Sequence, residues 1–137
     1  MKLLTPAELI QFLPPEPELQ TLAVKKFQKL ISAHGSPPNW LNYAVTEGIL
    51  ELQQINFHEQ PAFMVWFAVT PEGRLLVDSV QSVANESLLP VLAAGLDMLA
   101  RSRGCKAIEF RTRRRGLIQE TAQFGYCPTS IILTKVL

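Results

Sequence analysis

The densest group of charged side chains in this 137-residue chain is the run Arg111-Thr112-Arg113-Arg114-Arg115. Residues 101–137 carry eight basic and two acidic side chains, whereas residues 1–100 carry five basic and ten acidic ones. This local excess of positive charge attracts anions, although the whole chain has a net charge of only +1. One interpretation is an anion site, and the other is a solvated edge that keeps a strand from pairing with other chains.

Nucleic acid is not the partner we expect for these arginines. Arginine binds backbone phosphates well, but the segment has no interleaved aromatic residues, and no recognisable nucleic-acid module surrounds it. The phosphates of a cofactor, or an acidic partner, fit the cluster better.

The composition is that of one globular domain. With 47% hydrophobic and 18% charged residues, the chain can bury a core, and its length leaves little room for a second domain. No apolar run approaches the 18 residues of a transmembrane helix, and the first residues lack the features of a signal peptide, so we expect no membrane partner. Cys105 and Cys127 form neither a disulfide framework nor a metal set, and His34 and His58 are isolated. We therefore expect a cytoplasmic protein without a metal site.

The N-terminal part of the chain is expected to be helical. Thr5 and Pro6 are typical of a helix start, and this first helix must end before Pro14. A longer helix is predicted over about residues 17–33, and a short one over about residues 38–48.

The remaining residues alternate between strand and helix patterns. The apolar periodicity predicts strands over 49–57, 62–69, 74–83, 105–111 and 128–137, and helices over 88–103 and 114–124. An irregularity at Gln53-Gln54 is typical of a β-bulge. Helices between the later strands require crossover connections, so the pattern predicts an α/β fold with a mixed sheet.

Three places in the chain form a pattern that resembles one known superfamily. They are the strand-to-helix passage from Gln81 to Leu89, the helix end and strand from Ala100 to Glu109, and a last helix and strand that contain Arg114–Leu117, Phe124–Tyr126 and Leu133–Leu137. Over residues 38–137 the set resembles the GNAT superfamily of acyl-CoA-dependent N-acyltransferases, in particular its small, divergent phage and bacterial members. The resemblance implies a single GNAT-like domain with a mixed central sheet flanked by helices, preceded by an N-terminal helical segment over residues 1–37.

The resemblance also implies a cofactor, acetyl-CoA or another acyl-CoA, at the strand-to-helix passage. A helix N-terminus offers unpaired N–H groups and a partial positive charge to a pyrophosphate. This chain has Ala84 and Glu86 where the family has glycines, and the carboxylate repels phosphate unless Ser87 is the N-cap and Glu86 turns away. The implied cofactor-binding residues are Gln81, Ser82, Val83, Ala84, Asn85, Glu86 and Ser87, assisted by Arg113, Arg114 and Arg115.

The implied catalytic residues also depart from the family pattern. Thr121 stands where many GNAT enzymes have a tyrosine that protonates the leaving thiolate, and its hydroxyl is a much poorer acid. Glu51 and Asp78 are candidates for the general base by their location on central strands. We favour Asp78, because burial between Val77 and Val80 would raise its pKa, while a solvated, outward-facing Asp78 is the alternative.

The sequence therefore leaves two leading functions open, and a third, in which the arginine cluster binds an acidic protein or a nucleic acid, ranks below them. The first is an acyl-CoA-dependent N-acyltransferase whose acceptor is an unidentified amine of a small molecule or a protein. The second is a non-catalytic GNAT-fold binding or structural protein, of phage origin, that has lost CoA binding, as Ala84, Glu86 and Thr121 suggest. A homodimer is one open possibility for its assembly.

Overall fold

The computed structural model describes residues 5–31, 40–84, 88–110 and 122–126 of the chain. The helices and strands in these ranges are listed here in chain order: a 3-10 turn Pro6–Leu9, β1 (Ile10–Leu13), α1 (Pro17–Ile31), α2 (Trp40–Thr46), β2 (Glu51–Phe57), β3 (Gln60–Val69), β4 (Arg74–Ser82), α3 (Leu89–Ser102) and β5 (Ala107–Phe110).

The five described strands form one mixed sheet in the order β1-β2-β3-β4-β5. The pairs from β1 to β4 are antiparallel, whereas β4 and β5 are parallel and are joined through α3. A parallel pair needs such a crossover, because the chain must return to the starting end of the sheet. The predicted α/β fold with a mixed sheet is confirmed. The predicted helix 114–124 and strand 128–137 fall almost entirely outside the described residues.

Each face of the sheet has its own apolar core, and β3 contributes to both. Phe63, Val65 and Phe67 pack with α3, whereas Met64 and Trp66 pack with α1 and α2. All five are buried, which explains the uninterrupted apolar run in this strand. Burying one large apolar side chain contributes about 1.5–3 kcal/mol, so β3 holds the two helical layers on the sheet.

The expected first helix is wrong beyond Leu9. Only Pro6–Leu9 is helical, as a single 3-10 turn, and Ile10–Leu13 is an edge strand paired with β2. Ile10 is 7% exposed and belongs to the core under α3. A tertiary contact therefore decides the conformation here, because four residues are too few for local helix propensity to prevail.

The bulge predicted at Gln53-Gln54 is also misplaced, since the register of β2 and β3 shifts between Ile55 and Asn56. Gln54 is fully buried at a regular ladder position. Its Oε1 accepts the Glu16 backbone N–H at 2.9 Å, and its Nε2 donates to Asn56 Oδ1 at 2.9 Å. The polar residue in the pattern marks a hydrogen bond to the start of α1 rather than an irregular strand.

Candidate functional site

A β-bulge in β4 lies directly after Val77, the residue that pairs with Phe110 of β5. The register moves from Phe67↔Val77 to Trp66↔Ser79, so Asp78 is the extra residue of the bulge. The last described pair between β4 and β5 is Val77↔Phe110. From there β4 continues for five more residues, to Ser82. This stretch, residues 78–82, contains the bulge and the end of the strand.

The bulge also exchanges the faces of the following residues. Before it, Leu75 and Val77 lie in the core under α3, and after it Val80 packs against the same core. Ser79 and Gln81 are then buried opposite Trp66 and Met64, on the face covered by α1 and α2. One inserted residue reverses the alternation of a strand, and it brings polar side chains under α1 and α2.

The described part of the predicted cofactor segment leads from the sheet towards α3. Gln81 is buried, and its Nε2 lies 3.5 Å from the Ser79 hydroxyl, at the limit of a hydrogen bond. The Ser82 hydroxyl donates to the Ala84 carbonyl at 3.2 Å, and the Val83 N–H donates to the Ala62 carbonyl at 2.9 Å. The predicted residues Asn85, Glu86 and Ser87 lie outside the described residues.

The N-terminus of α3 is one residue later than predicted. Leu88, not Ser87, is the N-cap, and Pro90 is the second helical residue, where no intrahelical N–H bond is lost. The Leu88 side chain makes no capping hydrogen bond, because it has no acceptor. The backbone N–H groups in the first turn of α3 therefore need other hydrogen-bond acceptors, and an anion can supply them.

The two candidate bases are in different situations. Asp78 is exposed, so the buried environment expected for it is not found, but it is the extra residue of the bulge and directly follows Val77, which pairs with β5. Glu51 is exposed and forms a two-point ion pair with Arg103, at 2.9 and 3.0 Å. Arg103 also lies 5.5 Å above the Phe67 ring. Glu51 thus fastens the start of β2 to the end of α3, and we no longer consider it as a base.

The other predicted site residues are not described. Tyr126, which follows them in the sequence, packs against the sheet. Thr121, Arg113, Arg114 and Arg115 lie outside the described residues. Tyr126 packs edge-on against Phe110 at 5.3 Å between ring centroids. Burial, with the nearby charge of Asp97, raises the pKa of Tyr126 to about 12, and its buried hydroxyl has no hydrogen-bond partner among the described residues.

Within the described ranges we looked for clusters of metal-ligating side chains and for helices that could span a membrane. These residues contain no cluster of three His, Cys, Asp or Glu side chains that suits a metal ion. None of their helices is both long and apolar enough to cross a bilayer.

An open groove of about 480 Å³ lies beside α1 and α2, lined by Pro17, Gln20, Thr21, Val24, Lys25 and Asn42. These side chains include no acid–base pair, so we assign no chemistry to the groove.

The sequence did not predict the bulge at Asp78 or the contact between α1 and the end of β4. Lys26 of α1 donates a hydrogen bond to the Ser82 backbone carbonyl at 3.0 Å. Nothing in the local pattern around Lys26 indicates this contact, because 56 residues separate the two partners. Only the packing of α1 on the sheet reveals it.

Comparison with known proteins finds the fold in solved structures. No protein-family model matches the chain, and no curated protein matches it. A candidate acetyl transferase from Pyrococcus furiosus is similar with a TM-score of 0.66 and 15% identity, over 93% of this chain and 99% of that one. The GCN5-related N-acetyltransferase from Ralstonia eutropha JMP134 is similar with a TM-score of 0.58 and 12% identity, over 93% and 98% of the two chains.

A third structure includes a ligand. It is a predicted acetyltransferase from Clostridium acetobutylicum with acetyl-CoA, similar with a TM-score of 0.58 and 10% identity over 93% of this chain and 96% of that one. At these identities the likeness shows the fold alone, which is the GNAT fold. A match over 93% of the chain also includes most of residues 1–37, which the sequence pattern left outside the resemblance.

Proposed function

We propose that this chain, which has the GNAT fold, is an acyl-CoA-dependent N-acyltransferase that transfers an acetyl or other acyl group to an amine. The observation that carries the proposal is the carboxyl end of β4. It runs from the bulge at Asp78 to Ser82 and leads, within seven further residues, to the first residue of α3. A strand edge followed by a helix N-terminus suits a ligand that has amides at one end and a pyrophosphate at the other.

The described residues fit such a ligand, but Leu88 rather than Ser87 is the N-cap, so the proposal requires the Glu86 carboxylate to point away from the phosphates. In our proposal the backbone N–H and carbonyl groups of residues 78–81 that do not pair with β3 bind the amide-containing arm, as an added strand would. Val83, Ala84 and the first turn of α3 then receive the pyrophosphate, where Leu88 supplies no competing side-chain acceptor. Asn85, Glu86 and Ser87 lie between Ala84 and Leu88 in the sequence. Arg113, Arg114 and Arg115 would add positive charge near the phosphates.

The transfer we propose is direct. Acyl-CoA supplies the acyl group as a thioester, so the amine nitrogen forms a bond to the carbonyl carbon while the bond from that carbon to sulfur breaks. Backbone N–H groups at the bulge polarise the carbonyl, because the extra residue turns donors out of the ladder. The Asp78 carboxylate accepts the proton that the amine loses, and the leaving thiolate takes up a proton through Thr121 or from water.

Ligand-dependent thermal stability tests the binding part of the proposal. A ligand at one hundred times its Kd stabilises the folded state by about 2.7 kcal/mol, so acetyl-CoA is expected to raise the Tm by several degrees. Adenosine at the same concentration is the control, since it lacks both the arm and the pyrophosphate. No rise in Tm at millimolar acetyl-CoA would contradict the proposal.

Thiol release tests the chemistry. The protein with acetyl-CoA and a panel of amines is expected to release free CoA, and Asp78→Asn is expected to lower the rate about 10²–10⁴-fold while CoA binding persists. Binding without release for any amine would favour the non-catalytic alternative. An Asp78→Asn variant as fast as the wild type would remove Asp78 from the mechanism.

A further inference from the structure

The Lys26 ammonium occupies a defined position at the end of β4. Its Nζ donates to the Ser82 carbonyl at 3.0 Å, and Ser82 is the last residue of the strand. Lys26 is exposed, and no carboxylate among the described residues forms an ion pair with it. The charge is therefore held at one place on the backbone without being neutralised by a described residue.

The direction of the Ser82 carbonyl shows on which side of β4 this charge lies. The Val83 N–H points towards β3, because it donates to the Ala62 carbonyl at 2.9 Å. The peptide bond between Ser82 and Val83 is trans, so its carbonyl points opposite to its N–H. Lys26 therefore binds β4 on the side away from β3, which is the side that β5 occupies up to Val77.

From this geometry we propose that Lys26 is a phosphate-binding residue that α1 contributes to the acyl-CoA site, an inference that rests on the proposed function. An ammonium has three N–H donors, and one of them is used by the Ser82 carbonyl. The other two are available to a pyrophosphate bound beyond the end of β4. The partial positive charge at the N-terminus of α3 favours the same anion, so the two features reinforce each other.

The competing explanation is structural. In that case Lys26 only fastens α1 to the end of β4, and its removal would weaken every ligand of this strand edge by the same factor. A phosphate role instead predicts a loss confined to ligands that carry the pyrophosphate. The two explanations therefore differ in the pattern of affinities across ligands, not only in the affinity for one of them.

Equilibrium titration of CoA, 3′-dephospho-CoA and pantetheine against four proteins separates these explanations. The proteins are the wild type, Lys26→Met, Lys26→Arg and Lys25→Met, where Lys25 is the neighbouring exposed lysine and lines the groove beside α1 and α2. Lys26→Met is expected to bind CoA and 3′-dephospho-CoA roughly tenfold more weakly, while its affinity for pantetheine is unchanged. Lys26→Arg should restore most of the loss, and Lys25→Met should behave like the wild type.

The other possible results of these titrations would each overturn a different part of the proposal. Equal losses for all three ligands, or a CoA affinity of Lys26→Met within twofold of the wild type, would overturn the role of Lys26 and leave the proposed function intact. A loss for CoA but not for 3′-dephospho-CoA would overturn the assignment to the pyrophosphate. A wild-type protein that binds none of the ligands would overturn the proposed function, and this inference with it.

Discussion

Trp66 of β3 lies opposite Ser79 of β4, and this is the first pair after the register of the two strands has moved by one residue. Both side chains are buried on the face covered by α1 and α2. The Trp66 indole Nε1 is buried without a hydrogen-bond partner among the described residues. The bulge thus places the Ser79 hydroxyl opposite the Trp66 indole in an apolar layer. A buried polar atom in such a layer costs free energy unless it has a hydrogen-bond partner.

Trp66→Phe tests whether the indole N–H is a cost to the fold. Phenylalanine keeps an aromatic ring and removes the unsatisfied donor, so we expect a loss of less than about 1.5 kcal/mol in the free energy of unfolding. Trp66→Ala is expected to cost about 3–5 kcal/mol, because it leaves a large cavity. Urea denaturation measures both, and equal losses for the two variants would argue that the indole N–H is satisfied.

Gln54→Leu is expected to destabilise the protein by about 2–4 kcal/mol, measured in the same way. The substitution leaves the Glu16 backbone N–H and the Asn56 amide oxygen without their partner inside the protein. Gln53→Leu is the matched control. Its amide donates to the Leu13 carbonyl at 2.8 Å in an exposed setting, so water replaces it and the loss should stay below about 1 kcal/mol. A reversed order of the two variants would be inconsistent with the buried Gln54 network.

The ion pair between Glu51 and Arg103 is expected to contribute little to stability and nothing to acyl transfer. Both side chains are partly exposed, at 47% and 39%. A double-mutant cycle with Glu51→Gln and Arg103→Met should give a coupling of about 0.5–1 kcal/mol that weakens in 1 M salt. The same Glu51→Gln variant should retain the wild-type rate of thiol release. A large drop in rate would restore Glu51 as a candidate base.

The stability of the protein is expected to fall between about pH 10 and pH 12 through Tyr126. Its pKa is about 12 in the folded state and about 10 in the unfolded chain, so the unfolded state loses its proton first as the pH rises. The contribution of Tyr126 to the free energy of unfolding is complete below pH 10 and is lost as the pH rises through its folded-state pKa. Because lysines titrate in the same range, the measurement is the difference in unfolding free energy between the wild type and Tyr126→Phe. A difference that does not change between pH 9 and pH 12 would contradict it.

From β2 to β5 the sequence was sufficient for the order of strands and helices, because local patterns encode it. The apolar run in β3, the turn at Pro71-Glu72-Gly73 and the helical spacing of α3 each act over neighbouring residues. It was not sufficient for β1, whose conformation depends on the burial of Ile10 under α3. The bulge at Asp78 and the contact from Lys26 to Ser82 are also set by pairing between distant segments.

The bulge itself offers the most direct test of the site, because Asp78 can be removed without disturbing the strand pattern. Without it, Leu75, Val77 and Val80 would all face α3 in simple alternation, and Ser79 and Gln81 would keep the opposite face. We therefore expect the Asp78 deletion to fold, with a loss of no more than about 1–2 kcal/mol. A regular β4 would lack the local twist that a bulge adds to the strand edge to which we assign the cofactor arm.

The deletion is accordingly expected to weaken CoA binding at least roughly tenfold, which corresponds to about 1.4 kcal/mol, and to abolish thiol release. Asp78→Gly is the matched control, because it removes the carboxylate but keeps the extra backbone residue. This variant should bind CoA like the wild type and be slow only in transfer. Binding is measured by titration and folding by circular dichroism. A folded deletion variant that binds CoA as tightly as Asp78→Gly would mean that the cofactor arm does not depend on the bulge at the end of β4.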